Sequence, residues 1–465
     1  MDEPRASPRI PGRRSVTRGG VEVAMQNGSS GENEKPTGAV TLSLDPGRAI
    51  EDYAAARAKG RVVAVSFADP EPSPDGAPVA PEVEAFLARE HLFVGHYDEV
   101  LSALVDSRFS SDRTTAMTPE QREKLPPIVE ELRLLSESLL SKDPPDHTRL
   151  RKLIQPSFAP RVMEAMRARI QQITNDLLDT AEREAAARGE VTPHRRMDLV
   201  ASFAYPMPVT VISDMLGIPL EDRPQVKQWT ENLLRADRRR GTLDDDTTAK
   251  LRQFISYLRD LFAQKRGKKA EDMITQLLQA EEEGDKLSED EVLSTVFLLY
   301  LAGHVTTVNL IGNGVFALLS HPAELAKLKA DPGGLAKGVV EETLRYWGPV
   351  DFVAGRIAKQ EVEIAGTRIP KGEPVMVGLA SANRDPARFP DPDRFDITRE
   401  GAERHVAFGK GIHLCVGAPL ARVEGQIAFE TLIRRFPAMR LAVPPEQVRW
   451  GKSFLRGLAE LPVFF

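Results

Sequence analysis

The sequence contains a single cysteine, Cys415, in 465 residues. One cysteine excludes a disulfide within the chain and fits a reducing cytoplasm. It also gives little support to zinc or iron–sulfur sites, because these sites use several cysteines. A metal centre bound by this thiol can therefore have only one cysteine ligand from the chain.

Long apolar runs are missing as well. The longest candidate, 296–303, is far shorter than the roughly 20 residues that cross a bilayer, so we expect no membrane span. A net charge of −6 argues against nucleic acid as the main partner. Residues 1–45 are rich in Pro, Gly and Ser and have no apolar segment, which predicts a disordered extension rather than a signal peptide.

Residues 46–465 show no repeats and no interdomain linker, which predicts one large domain. Between 161 and 337 the apolar residues follow a helical period, and Ser288 is a plausible cap for a very long helix that ends near Pro322. After residue 355 the sequence alternates and contains turn signals, which predicts a small sheet. A coil rich in Pro and Asp and a helix from near Gly417 follow, so the fold class is mainly α with a small β portion.

The surroundings of Cys415 are unusual for a lone thiol, which is most often a small buried apolar group. Gly409, Gly411 and Gly417 allow backbone conformations and close approaches that other residues forbid. A helix starts just after the cysteine, and its free N–H groups are expected to stabilise a thiolate. A haem iron needs only one strong axial ligand from the protein, so this setting favours a haem site.

The stretch "FGKGIHLCVG" resembles the haem-binding loop of the cytochrome P-450 monooxygenases, whose pattern is F-x-x-G-x-x-x-C-x-G. Phe408, Gly411, Cys415 and Gly417 match that pattern. The resemblance covers roughly residues 85–465 and is closest to the soluble bacterial members. It implies that haem b (iron protoporphyrin IX) lies between the long helix and the helix after the cysteine loop. Cys415 would be the thiolate ligand.

Two further motifs match the family in the right order. "EETLRYWGP" carries the E-x-x-R signature as Glu342 and Arg345, and the resemblance adds Arg394 as the third member of a structural triad. His147 and Arg151 lie four residues apart on one helix face, a spacing that suits a haem propionate. By resemblance Arg356 and His413 are the other propionate partners.

The segment "LAGHVTTVN" matches the family's oxygen-activation motif, usually A-G-x-[D/E]-T-T. Ala302 and Gly303 would leave room for dioxygen, and Thr306 would hydrogen-bond dioxygen and water. Val305 replaces the usual acid and cannot relay a proton, whereas the adjacent His304 titrates near neutral pH.

The chain can then be a monooxygenase with altered proton delivery, a peroxide-driven peroxygenase, or a catalytically impaired haem-binding partner protein. The first reading is favoured, because Thr306 and Cys415 are both kept.

The resemblance also implies partners and a substrate class. Electrons would come from a ferredoxin and an NAD(P)H-dependent ferredoxin reductase, docking on a basic face formed by Arg149, Lys152, Lys410 and Arg422. The substrate pocket would include Leu298, Val350, Phe352, Val353 and Phe454, whose apolar side chains fit a hydrophobic molecule. We expect a cytoplasmic monomer that hydroxylates or epoxidises a secondary metabolite, free or bound to a carrier.

Overall fold

The computed structural model describes residues 38–68, 87, 89–123, 130–235, 244–282, 287–451 and 455–465. Helices dominate these ranges, as the sequence predicts. The α-helices of four or more residues are Pro46–Lys59, Tyr97–Val105, Arg113–Ala116, Pro119–Glu123, Glu130–Ser136, Asp146–Ile154, Pro160–Ala187, Pro206–Leu216, Arg223–Arg235, Asp245–Lys265, Met273–Glu282, Glu289–Ser320, Pro322–Ala330, Pro332–Trp347, Leu379–Ala382 and Ala418–Arg435. The described residues all belong to one compact unit.

The helix Glu289–Ser320, called the long helix below, is the longest described and starts where the sequence predicts. The Ser288 hydroxyl accepts from the Glu291 N–H and the Glu291 carboxylate accepts from the Ser288 N–H, which is a reciprocal capping box. By length and composition alone this helix could cross a membrane, but 61% of its most apolar window is buried inside the protein. That burial is the environment of a core helix.

The β portion of the described residues consists of eleven strands: β1 Val40–Leu42, β2 Val62–Phe67, β3 His91–Val94, β4 Phe109–Ser110, β5 Arg196–Asp198, β6 Val353–Ala358, β7 Val362–Ile364, β8 Thr367–Ile369, β9 Pro374–Val377, β10 Arg440–Leu441 and β11 Pro462–Phe464. Six of them make a sheet in the order β1-β2-β3-β9-β6-β4, and three make a sheet in the order β10-β11-β5. The strands predicted after residue 355 therefore belong to two different sheets. β7 and β8 form a hairpin, while β9 lies between β3 and β6.

The predicted boundary of the N-terminal extension at residue 45 is too late. Strand β1 pairs in parallel with β2, with Val40 opposite Val65, so the folded part includes residues before 46. Strand β2 was not predicted from the sequence. Residues 1–37 lie outside the described residues.

Two helices meet the long helix and position the cysteine loop. They are Pro332–Trp347, and Ala418–Arg435, called the cysteine helix below. A Cβ on Gly314 of the long helix would lie 2.3 Å from the Phe429 ring of the cysteine helix, so only glycine allows this close approach. The two helices that flank the predicted haem position are therefore in direct contact at one end.

Candidate active site

The cysteine loop, residues 405–417, is fixed by its own backbone. Cys415 N donates to Phe408 O over 2.9 Å, and Gly409 N donates to Val406 O over 2.8 Å. Gly411 has φ 74°, and a Cβ there would lie 2.9 Å from Leu104 O. Both features favour glycine, so the glycine of the motif follows from the path of the backbone.

The thiol of Cys415 is exposed, yet the protein around it shifts its pKa. Desolvation raises the pKa of the thiol, while N–H groups of Gly417 and Ala418 and the charges of Arg151 and Arg422 oppose that shift. The N–H groups at the start of the cysteine helix therefore stabilise the thiolate, as the sequence predicts, but desolvation is the larger effect and the pKa is raised overall. Metal coordination deprotonates a thiol outright, and a bound iron would reverse this balance.

Three of the four predicted propionate partners meet in one cluster. The rings of His147 and His413 lie 4.4 Å apart between centroids. The Ser111 hydroxyl lies 3.1 Å from His413 Nε2 and accepts a hydrogen bond from Arg356 Nη1. Arg151 turns instead toward the cysteine loop, donating from Nη1 to Leu414 O over 2.7 Å. Ser111 was missed from the sequence, since a lone serine has no distinguishing pattern.

Several nitrogen atoms of these side chains make no hydrogen bond within the described part of the chain. Both ring nitrogens of His147, Nδ1 of His413 and Nε of Arg356 are buried and have no hydrogen-bond partner among the described residues. Desolvation, followed by the charges of Arg356 and the proximity of His147, lowers the pKa of His413 to about 3. An anionic group would satisfy the donors and offset the mutual repulsion. The cluster therefore fits the two carboxylates of a haem.

The buried carboxylate of Glu342 binds two arginines, but one of them is not the predicted one. Arg345 donates to it from Nε and Nη2, each over 2.8 Å. The second is Arg399, whose Nε lies 3.2 Å from Oε1 of Glu342. The predicted third member, Arg394, is 61% exposed and pairs with Asp396. Arg394 is therefore replaced by Arg399 in the triad.

The oxygen-motif residues lie on different sides of the long helix. Ala302 is exposed, whereas His304 is fully buried and donates from Nδ1 to Tyr300 O over 2.6 Å. Desolvation lowers the pKa of His304 to about 4. Two positions along a helix is a turn of about 200°, so His304 faces away from Ala302 and is removed from the catalytic candidates. Thr306 Oγ1 donates to Ala302 O over 2.8 Å.

A buried carboxyl group that the sequence did not single out faces the long helix. Glu424 of the cysteine helix is 1% exposed, and neither oxygen has a hydrogen-bond partner of ordinary geometry among the described residues. Burial raises its pKa to about 8, while the hydroxyl of Thr307, next to Thr306, acts in the opposite direction. At pH 7 this group carries a proton beside the motif that lacks its acid.

The predicted pocket residues do not form one set. Leu298 packs against the helical core, and Val350 and Val353 pack against the cluster around β6 and β9. Phe352 packs with the N-terminal strands, its ring 6.2 Å from that of Phe67, and is removed from the predicted lining. Phe454 lies outside the described residues.

An open cavity of about 1050 Å³ lies against the cysteine loop, and no residue of the long helix lines it. Its wall contains Cys415 and Phe408 together with six basic side chains: Arg151, Lys152, Arg388, Arg404, Lys410 and Arg422. Three of the four predicted docking residues are in this set. The fourth, Arg149, instead bonds Glu291 and Asp146 and is removed from the predicted docking face.

In the described part of the chain, no three His, Cys, Asp or Glu side chains are grouped as metal ligands. The described residues instead provide one possible sulfur ligand, Cys415, and a separate cluster of donors that can bind carboxylates. This arrangement differs from a zinc site, which needs about four protein or water ligands.

Comparisons with known proteins agree with this arrangement. The family model described as Cytochrome P450 matches residues 86–331 and 334–455. Cytochrome P450 CYP107DY1 of Priestia megaterium is 45% identical over 377 residues, 79% of this chain and 88% of that protein. The polyketide biosynthesis cytochrome P450 PksS of Bacillus subtilis is 43% identical over 371 residues, 80% and 88% of the two chains.

A solved structure agrees as well. That of the myxobacterial cytochrome P450 CYP267B1 in complex with myristic acid has a TM-score of 0.76 and 39% identity, covering 90% of this chain and 98% of that one. The residues matched by the family model include the cysteine loop and the long helix. The chain belongs to the cytochrome P450 family of haem-thiolate monooxygenases.

Proposed function

We propose that this monooxygenase inserts one oxygen atom from dioxygen into a hydrophobic small molecule of secondary metabolism, with Cys415 as the axial ligand of haem b. The observation that carries the proposal is the set of buried, unused donors on His147, His413 and Arg356, near the single thiol. When bound, the haem supplies the activation of dioxygen and the oxidation of carbon. The remaining steps belong to the chain's own residues.

The long helix provides the space and the hydroxyl for dioxygen. Ala302 is small and exposed, and Thr306 presents a hydroxyl that can exchange its bond to Ala302 O for one to water. Val305 supplies no proton, whereas the buried acid Glu424 interacts with Thr307 and is protonated at pH 7. We assign Glu424 and Thr307 to proton delivery toward Thr306. A peroxide-driven reaction and a catalytically impaired protein are the two competing outcomes.

The substrate is proposed to be an acyl or polyketide-like molecule. Among the similar proteins, PksS is named for polyketide biosynthesis and the CYP267B1 structure holds myristic acid. The apolar residues Leu298, Val350 and Val353 are consistent with a substrate of that kind. A screen should therefore offer each acid in free form and bound to a carrier protein.

The electron donor is proposed to be a ferredoxin served by an NAD(P)H-dependent reductase. The open cavity beside the cysteine loop offers Lys152 and Lys410 with four arginines, and ferredoxins are acidic proteins as a class. Complementary charge mainly raises the association rate. The single cysteine and the net charge of −6 agree with a soluble cytoplasmic monomer.

The decisive experiment compares reduced, carbon-monoxide-bound spectra of the wild type and Cys415→Ala. We expect the wild type to show the long-wavelength Soret band of thiolate-ligated haem and the variant to lose it. Val416→Ala, beside the cysteine, serves as the control and keeps the band. Identical Soret positions in wild type and Cys415→Ala would refute the assignment. Turnover with peroxide but not with a reductase would favour the peroxygenase reading.

A further inference from the structure

One buried charged group beside the cysteine loop has no part in the function described so far. The Glu341 carboxylate, 4% exposed, accepts hydrogen bonds from Nε and Nη2 of Arg422 over 2.7 Å and 3.0 Å. It also accepts one from His405 Nε2 over 3.1 Å. With Phe408, these residues are called the Glu341 cluster below. The cluster joins the helix Pro332–Trp347, the cysteine helix and the start of the cysteine loop.

The geometry fixes the protonation of His405. Its Nδ1 accepts a hydrogen bond from the Ala407 N–H over 3.1 Å. An accepting Nδ1 carries no proton, so the proton of the neutral ring is on Nε2, where it is donated to Glu341. Through this ring Glu341 holds the backbone at Ala407, one residue before Phe408.

Phe408 is held from two sides. The guanidinium carbon of Arg422 lies 4.8 Å from the centre of the Phe408 ring, and the His405 ring lies 5.7 Å from it. The carbonyl of Phe408 accepts the hydrogen bond from the Cys415 N–H. A shift of Phe408 therefore moves both an aromatic ring and a hydrogen-bond acceptor next to the sulfur ligand.

We propose that Glu341 is a positioning residue for the sulfur ligand, acting through Arg422 and His405 on Phe408 and the backbone that faces Cys415. Its carboxylate aligns His405, at the start of the cysteine loop, and Arg422, on the cysteine helix, and both side chains lie beside Phe408. The aligned carbonyl fixes the Cys415 N–H, and the aligned ring keeps its place beside Arg422 in the wall of the cavity. The proposal rests on the proposed function, since it takes Cys415 as the haem ligand.

The electrostatics agree with a permanently charged Glu341. Burial acts to raise its pKa, but the hydrogen bonds from His405 and Arg422 dominate, and the pKa is lowered to about 2. The carboxylate stays ionised throughout the range in which a haem enzyme works. Replacement by the neutral isostere glutamine therefore removes a charge that the wild type always carries.

The test compares holoprotein of the wild type, Glu341→Gln and Arg422→Lys after reduction with dithionite and exposure to carbon monoxide. Dithionite needs no docked partner, so a role of Arg422 in docking does not enter. At equal haem content, we expect Glu341→Gln to lose the thiolate-type Soret band roughly tenfold faster than the wild type, as fits the loss of a charged hydrogen bond. Arg422→Lys, which keeps the charge but not the two-pronged contact, should change in the same direction by a smaller factor. Both should also shift the reduction potential.

Glu430→Gln is the control, because Glu430 is on the cysteine helix with Arg422 and pairs only with Arg434 among the described ion pairs. It should behave as the wild type. A lower melting temperature for Glu341→Gln with an unchanged rate of band loss and unchanged potential would mean a purely structural role and overturn the inference. If Glu341→Gln does not fold, an unaltered Arg422→Lys overturns it equally. A wild type without the thiolate-type band would instead refute the proposed function.

Discussion

At the scale of single residues, the carboxylate of Glu342 depends on two arginines that come from different segments. Arg345 is on the same helix and fully buried, while Arg399 reaches back from the coil before the cysteine loop. Arg399 also donates to the carbonyls of Pro390, Asp391 and Arg394. One side chain thereby fixes both the buried charge and the shape of the coil.

Replacing Arg399 should be far more damaging than replacing Arg394. Arg399→Ala removes a partner of a buried carboxylate and is expected to cost about 3–5 kcal/mol, with loss of haem content. Arg394→Ala removes an exposed ion pair and should cost about 0–1 kcal/mol. Urea unfolding followed by fluorescence measures both values. Equal losses for the two variants would contradict the reassignment of the triad.

The same pair of arginines shows what sequence can and cannot determine. The E-x-x-R pair was predictable, because its partners are three residues apart on one helix. Arg394 and Arg399 lie in one coil five positions apart, and no periodic pattern tells which of them folds back onto Glu342. His304 is buried while Ala302 is exposed, and Glu424 lies near Thr307. Both facts likewise depend on how the helices pack, which cannot be predicted from the local sequence.

At the scale of elements, the proposed proton path to the oxygen site needs both the long helix and the cysteine helix. Val305 removes the acid from the first helix, and Glu424 places a protonated carboxyl on the second. The close approach of Gly314 to the Phe429 ring sets the separation of these helices at that point. The position of the proton donor thus depends on a contact between helices rather than on one motif.

We expect Glu424→Gln to lower the coupling of NAD(P)H use to product, and Val305→Glu to raise it. A positioned proton donor is worth about 10²–10⁴-fold in rate. In the double variant the effect of Glu424→Gln should shrink, because the restored acid supplies protons. Peroxide release and product yield measure coupling. Thr306→Ala should increase peroxide in every background.

The coupling should also depend on pH in a defined direction. Glu424 has a raised pKa of about 8, so it holds its proton below that pH and loses it as the pH rises through 8. Coupling in the wild type should therefore fall on the alkaline side, and this fall should be absent in Glu424→Gln. A fall of equal size in both proteins would assign the alkaline limb to another group.

At the scale of the whole molecule, a buried ion pair connects distant parts of the chain. Arg456, 1% exposed, donates from Nε and Nη2 to Asp351 over 2.9 Å and 2.8 Å. Its Nη1 also donates to Pro46 O, and the hydroxyl of Tyr53 donates to Asp351 over 3.1 Å. Asp351 lies between Val350 and Phe352, so this pair anchors the segment before β6 to the N-terminal helix.

Asp351→Asn should destabilise the whole fold by about 3–5 kcal/mol, because it leaves the buried guanidinium of Arg456 without its counter-charge. The control is Glu460→Gln, whose side chain is 49% exposed and pairs with Arg449, itself 78% exposed, and which should change stability by about 1 kcal/mol or less. Thermal unfolding of the two holoproteins makes the comparison. A single cooperative transition at lower temperature is expected for Asp351→Asn, and a wild-type melting temperature would contradict the anchoring role.

The contact between Arg456 and Pro46 joins residues 410 positions apart. During synthesis, the partner of Pro46 leaves the ribosome only after nearly all of the domain has been made. Until then the helix Pro46–Lys59 lacks its anchor, and β2 lacks the complete sheet, since β9 is also translated late. Until these late segments have been made, the nascent chain exposes the apolar surface that they cover in the folded domain.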